Sequence, residues 1–240
     1  MNFKRFSLVL WKIFIVSMEN KSVNIGFLFD LDGVLIDSES EYTKIWNSIN
    51  HEYPSGYADL PLRIKGTTLT KILNEYYPEK DIQKQVEERL HQLENKMTYS
   101  YLPGAKDFLD KLKSKNIPCV LVTSSDQEKM THLWQQLPDL KKYFEHIITG
   151  DMVATSKPSP EGYLLGASKI NLDSSQCVVF EDSLQGVKAG KNAGSFVVGV
   201  CGTLSSETLA PFSNILINNF NEIDLDTLID KLLTNLNEQQ

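Results

Sequence analysis

A chain of 240 residues, 41% hydrophobic and 23% charged, is long enough for one large domain or for a core with a smaller partner. Its formal net charge of −7 argues against nucleic acid or an anionic membrane surface as the main partner. A small anionic substrate stays compatible, because one lysine or a metal ion can reverse the sign of the field inside a cleft.

The chain opens with "MNFKRFSLVLWKIFIVSMEN", where Lys4 and Arg5 precede an apolar stretch in the manner of a signal peptide. Lys12 interrupts that stretch and no small-x-small cleavage site follows. The run is too short to span a bilayer. Met18 begins a natural start just before the first strand. Residues 1–24 are therefore read as an N-terminal extension, with 1–17 a mis-called start or a disordered segment, and no membrane partner is expected.

Apolar, β-rich runs follow at 25–29, 118–122, 146–149, 177–180, 196–200 and 215–217. Most lack period-two alternation, which predicts strands buried on both faces of a parallel sheet. Helical patterns at 105–116, 127–137, 160–170 and 183–194 separate the later runs. Pro160 suits a first helical turn and Gly194 a helix end. The alternation predicts an α/β fold, a Rossmann-like open parallel sheet with right-handed crossovers. Between the first two strands, helices are expected at 39–53, 67–77 and 80–97, an insertion too long for a loop. It reads as a small helical cap over 38–99, with the core formed by 25–37 and 100–240. The C-terminal "TNLNEQQ" is expected to fray.

Cys119, Cys177 and Cys201 lie far apart without a CxxC and read as reduced residues of a cytoplasmic protein. His51, His91, His132 and His146 show no zinc-ligand spacing. A P-loop is excluded because no GxxxxGK[ST] occurs.

In open α/β sheets, ligands bind at the carboxyl ends of the strands. The polar residues there are Asp30 and Asp32 after the first strand and Thr123, Ser124 and Ser125 after the second. Lys157 follows the third, and Glu181 and Asp182 follow the fourth. Singly, each has a plain structural reading as a helix cap, a turn or a solvated lysine. Together they fall at one edge of one sheet. Two carboxylates ~4 Å apart repel by roughly 4 kcal/mol at an effective dielectric of ~20, so such a cluster calls for a cation. All-oxygen ligands favour a hard ion, Mg²⁺, which also bridges to phosphate. An aspartate beside it can attack phosphorus, and a second acid two residues on can exchange protons with the leaving oxygen and with water.

These motifs resemble the haloacid dehalogenase (HAD) superfamily over about residues 25 to 205, in its β-phosphoglucomutase-like, capped phosphatase branch. "DLDGVLIDSES" resembles the first motif, implying Asp30 as nucleophile and Asp32 as acid/base. "VLVTSS" resembles the second, implying Thr123, with Ser124 beside it, as phosphoryl-binding. "SKPSPEGY" resembles the third, with Lys157 neutralising nucleophile and phosphate. "VVFEDSLQGVKAGKNAG" resembles the fourth, with Glu181 and Asp182 holding Mg²⁺. The resemblance adds Asp30 and the backbone carbonyl of Asp32 to the metal site, a strand order 5-4-1-2-3 and a flap just after Gly33. It also implies a monomer.

Having both aspartates points to phosphoester hydrolysis or phosphoryl transfer, not dehalogenation. The related mutases carry a histidine five positions past the aspartate that matches Asp37; here that position is Tyr42, which favours a phosphatase. Arg63 and Lys65, in "LRIKGTT", are the candidate cap residues for a second anionic group, against the plainer reading of a helix–helix turn. A response-regulator receiver domain uses similar residues but lacks an eighty-residue insertion. A catalytically silent relative is disfavoured by the intact acids, Thr123 and Lys157. The expected partner is a small phosphorylated metabolite.

Overall fold

The computed structural model describes residues 24–238; apart from Asn24, the extension expected over 1–24 lies outside the described residues. All six apolar runs form strands: β1 (Gly26–Phe29), β2 (Cys119–Val122), β3 (His146–Ile148), β4 (Cys177–Glu181), β5 (Phe196–Val200) and β6 (Ile215–Ile217). Every neighbouring pair is parallel, in the order β3-β2-β1-β4-β5-β6. The implied 5-4-1-2-3 order is present, and β6 extends it beyond β5.

The missing alternation has a direct cause. Every residue of β1, β2, β4 and β5 is buried, whereas β3 and β6, at the edges, are partly exposed. Successive side chains still point to opposite faces. Phe27 and Phe29 join Phe180 and Phe108 on one side, while Leu28 joins Val120, Val122 and Val179 on the other. Phe29 and Phe180 stack with centroids 4.9 Å apart, and Phe220 stacks on Phe180 at 5.2 Å. This aromatic layer lies under the strand ends that carry Asp30 and Glu181, and such rings resist displacement through their buried area and offset geometry.

Helices cover both faces: α5 (Ala105–Ser114) and α6 (Gln127–Gln136), then α7 (Glu161–Lys169) and α8 (Leu184–Asn192). The insertion between β1 and α5 holds α1 (Glu39–Glu52), α2 (Leu60–Arg63), α3 (Leu69–Tyr76) and α4 (Lys80–Glu94). Its outgoing and returning strands run side by side. Asp37 N–H donates to Ser100 O and Leu102 N–H to Leu35 O, each at 2.9 Å, and Ile36 bridges Tyr101.

Two more helices close the chain, α9 (Ser206–Leu209) and α10 (Leu225–Glu238). Of the C-terminal stretch expected to fray, 234–238 form the end of α10, and 239–240 lie outside the described residues. Leu225, Leu228 and Leu232 bury a stripe at helical spacing against the core, and that burial holds the helix. No described helix is long and apolar enough to cross a membrane.

Candidate active site

β1 delivers Asp30 to the sheet edge as a buried side chain, with its N–H on Phe180 O at 3.0 Å. β2 delivers Thr123 beside it, also buried. Lys157, from the loop after β3, is buried and donates to Asp30 Oδ1 at 2.5 Å, to Glu181 Oε1 at 2.5 Å and to Val122 O at 3.3 Å. One ammonium group thus ties together the ends of three strands.

Glu181 is held from every side. Its Oε1 also accepts from Tyr163 Oη at 2.6 Å. Its Oε2 accepts from the backbone of Asp182 at 3.1 Å and from the Ser183 hydroxyl at 3.1 Å. Ser183 caps α8 through the Gly186 N–H, so strand end and helix start share one hydrogen-bond set. Burial pushes the Asp30 carboxyl up, to about 8, against the opposing Lys157 ammonium, and the Glu181 charge adds to the rise. Burial alone would lower Lys157, but the charges of Asp30 and Glu181 outweigh it and raise it above its ordinary value.

Carboxylate oxygens of Asp30, Glu181 and Asp182 lie within 4.8 Å of one another, and all three residues are buried. The donor set is all oxygen and fits a hard divalent cation better than a soft one. Gly33, at φ +71°, keeps the space beside Asp182 open; a Cβ there would stand 2.0 Å from Asp182 Oδ2. Both oxygens of Glu181 already accept hydrogen bonds, and one oxygen of Asp30 accepts from Lys157.

For Asp32 the resemblance assigns the backbone carbonyl, not the side chain, to the metal site, and the side chain has other partners. Its carboxylate turns away from the cluster. Oδ1 accepts from Ser38 Oγ, and Oδ2 accepts from Ser125 Oγ at 3.1 Å and from Lys129 Nζ. The turn after Asp30 sends alternate residues to different partners, and a buried ammonium and two hydroxyls outcompete the cluster for this acid.

A cavity of about 120 Å³ opens beyond Asp30, Asp32, Thr123 and Asp182. Its far wall comes from the helical insertion: Tyr42 and Trp46 of α1, Ile64, Lys65, Gly66, Thr67, and Leu90 and Glu94 of α4. Ser124 faces this cavity and donates to Gly66 O at 3.1 Å, linking the second motif to the insertion. Gly66 sits so close that a Cβ would stand 2.4 Å from Ser183 Oγ, and its φ is +70°. Lys65 lines the cavity, but Arg63 does not. The prediction of Arg63 as an anion clamp is corrected: it is exposed, pairs at 2.7 Å with Asp59, the residue just before α2, and lies over the Tyr57 ring at 4.6 Å. Arg63 is the last residue of α2, whereas Lys65 lies in the turn after it, so the two face different ways.

Sequence reasoning missed Lys129. It is buried, it donates to Asp32, and its ammonium lies 4.2 Å from the Tyr42 ring centre. Tyr42 in turn donates to Glu94 Oε1 at 2.6 Å. A signal was present: Lys129 stands one position before Met130 and four before Leu133, on the apolar side of α6. Tyr163, one turn into α7, was equally unmarked.

Residues 27–200 match the haloacid dehalogenase-like hydrolase family, so the chain belongs to that family. It is a phosphoric monoester hydrolase of the HAD type. It is 38% identical over 175 residues to a phosphorylated carbohydrates phosphatase of Thermotoga maritima, covering 70% of this chain and 80% of that protein. It is 32% identical over 182 residues to hexitol phosphatase A of Escherichia coli, covering 73% and 82%. The crystal structure of a β-phosphoglucomutase from Clostridium difficile superposes with a TM-score of 0.73 at 24% identity, over 88% of this chain and 98% of that one, a likeness of fold.

Proposed function

We propose that the protein is a Mg²⁺-dependent phosphatase acting on small phosphate monoesters, sugar phosphates foremost, through an aspartyl phosphate on Asp30. The observation that carries this reading is the single buried lysine, Lys157, bonded to both Asp30 and Glu181 behind a cavity lined by Asp30, Thr123 and Asp182. Relatives named as phosphatases of phosphorylated carbohydrates and hexitols support the substrate class.

Asp30 attacks phosphorus in line with the ester oxygen. Asp32 protonates that oxygen as the alcohol leaves. Asp32 then takes a proton from water, and the water oxygen attacks phosphorus, releasing inorganic phosphate and Asp30. Lys157 offsets charge on Asp30 and the phosphoryl group, and the Thr123 hydroxyl and Ser124 bind phosphoryl oxygens. Asp30 and Asp182, backed by Glu181 and joined by the Asp32 carbonyl, would hold Mg²⁺, which supplies positive charge against the phosphoryl oxygens.

Residues 38–99 act as a cap on the core of 25–37 and 100–240. The paired segments at Asp37–Ser100 and Leu35–Leu102 are its hinge, and closure excludes bulk water. The enzyme works as a cytoplasmic monomer. A mutase reading is disfavoured by Tyr42, whose hydroxyl is engaged by Glu94 and offers no imidazole beside Asp32. The test is a Mg²⁺-dependent phosphate-release screen over sugar phosphates, phosphoglycolate, nucleotides and pyrophosphate, with hexose 1-phosphate isomerisation followed in parallel. Release from sugar phosphates supports the reading. Isomerisation without release overturns it in favour of a mutase.

A further inference from the structure

Lys157 has no proton to spare. An ammonium group carries three, and three acceptors take them: Asp30 Oδ1 and Glu181 Oε1 at 2.5 Å each, and Val122 O at 3.3 Å. One cation therefore answers two buried carboxylates, with the third acid, Asp182, beside them. A buried carboxylate oxygen short of donors is costly. Glu181 Oε1 has one further donor, the Tyr163 hydroxyl at 2.6 Å. A phenol, with an ordinary pKa of about 10, keeps its proton at neutral pH and gives that hydrogen bond without adding charge.

The start of α7 is built to bring this phenol in. Glu161 ties the preceding loop to the helix, accepting from the Ala154 N–H at 2.7 Å and the Thr155 N–H at 2.9 Å. Gly162 and Gly166 let the helix lie close on β2; a Cβ would stand 3.0 Å from Val122 Cγ1 at the first and 3.1 Å from Val122 Cγ2 at the second. Tyr163, between them, is 1% exposed, and its ring centre lies 5.2 Å from Lys157 Nζ. Ring and hydroxyl thus have separate partners: the ring faces the lysine, and the hydroxyl holds the acid that shares it. Tyr163 is not among the residues that line the active-site cavity. Without the hydroxyl, Glu181 Oε1 would depend on Lys157 alone and would draw the ammonium group away from Asp30.

Resting on the phosphatase reading of this site, we propose that Tyr163 is a positioning residue for phosphoryl transfer: its hydroxyl satisfies Glu181, so that Lys157 stays shared with Asp30 and the phosphoryl group. Tyr163 acts through Glu181 and Lys157 and does not touch the reacting atoms.

The test is Tyr163→Phe, which keeps the ring beside Lys157 and removes only the hydroxyl. With Mg²⁺ and one good sugar phosphate, kcat should fall about 5- to 50-fold while KM stays within about threefold. The second readout needs no turnover: calorimetric binding of orthovanadate with Mg²⁺, whose five-coordinate form mimics phosphorus in transfer. Its affinity should fall about as far as kcat does, and that of inorganic phosphate by less. Unchanged kcat and vanadate affinity, or a rise in KM alone, overturns the proposal. Loss of the folded state in melting curves overturns it too, since the hydroxyl would then serve the fold and not the reaction. If wild type hydrolyses no ester, the phosphatase reading fails, and vanadate binding decides the role of Tyr163 by itself: weaker binding in Tyr163→Phe supports it, and equal binding or none in either protein overturns it.

Discussion

Lys129 donates its ammonium group to Asp32, and the same ammonium lies 4.2 Å from the centre of the Tyr42 ring. A core helix thereby fixes the carboxylate proposed as acid/base, and an insertion helix covers the fixing cation. Lys129 touches Asp32 and not the reacting atoms, so its effect is one of position.

Lys129→Met should lower kcat roughly 10- to 100-fold, about 1.4–2.7 kcal/mol in the barrier, with KM within about threefold. Steady-state kinetics on one good substrate measure the split. Partial rescue by Lys129→Arg is expected, and thermal melting checks that the fold persists. A rise in KM at unchanged kcat would mean that Lys129 binds substrate instead.

His91 joins α4 to α6 through Asp126 at 3.4 Å and Glu128 at 2.9 Å. The Asp126 contact, outweighing partial burial and assisted by the Glu128 charge, raises His91 to about 8. A histidine with a raised folded-state pKa contributes fully below its unfolded value of about 6.5 and loses that contribution as pH rises through about 8. The contact between insertion and core should therefore weaken between about pH 6.5 and 8.5. The expected readout is faster proteolysis of the insertion or a rising KM across that range, and His91→Gln should flatten the change.

Gly66→Ala should interfere with closure more than with folding. A Cβ at this position is strained at φ +70° and would press on Ser183 Oγ, which itself braces Glu181. The strain alone costs about 1 kcal/mol. Thermal stability should drop modestly while kcat/KM falls more than tenfold; an unchanged kcat/KM would show that the insertion does not need to sit this close.

Mg²⁺ should raise the melting temperature of wild type, by up to about 2.7 kcal/mol of stability at 100 times Kd. Asp182→Asn should lose most of that gain. Ligand carboxylates must be deprotonated, and burial holds Asp30 up at about 8, so the Mg²⁺ effect should be smaller at about pH 5.5 than at about pH 8.5. Melting curves with and without chelator measure it.

The sheet was readable because strands buried on both faces leave solid apolar runs, and the polar residue ending each run marks the catalytic edge. Asp30, Thr123, Lys157 and Asp182 were found that way, and the structure gathers them at one place. Legibility stopped where direction mattered. Arg63 and Lys65 are two residues apart, and no sequence pattern says that α2 ends at Arg63, facing outward, and that the turn after it brings Lys65 to the cavity. Asp32 follows Asp30 by two, yet Gly33 and the tight turn give it different partners. Lys129 was concealed by composition, since a lysine in a helix reads as solvated unless its place on the apolar side is counted. The last helix was missed because its leucine stripe depends on a core contact that sits far away in sequence.

The central claim is that Asp30 carries the phosphoryl group. The most direct measurement is peptide mass spectrometry of Asp32→Asn, mixed with Mg²⁺ and a hydrolysable sugar phosphate and quenched in acid. Loss of the proton-accepting carboxylate should slow release of the intermediate, and the peptide containing Asp30 should gain one phosphoryl group, absent in Asp30→Asn. Phosphate release by Asp30→Asn at the wild-type rate, or a phosphoryl group found on another residue, would contradict the account.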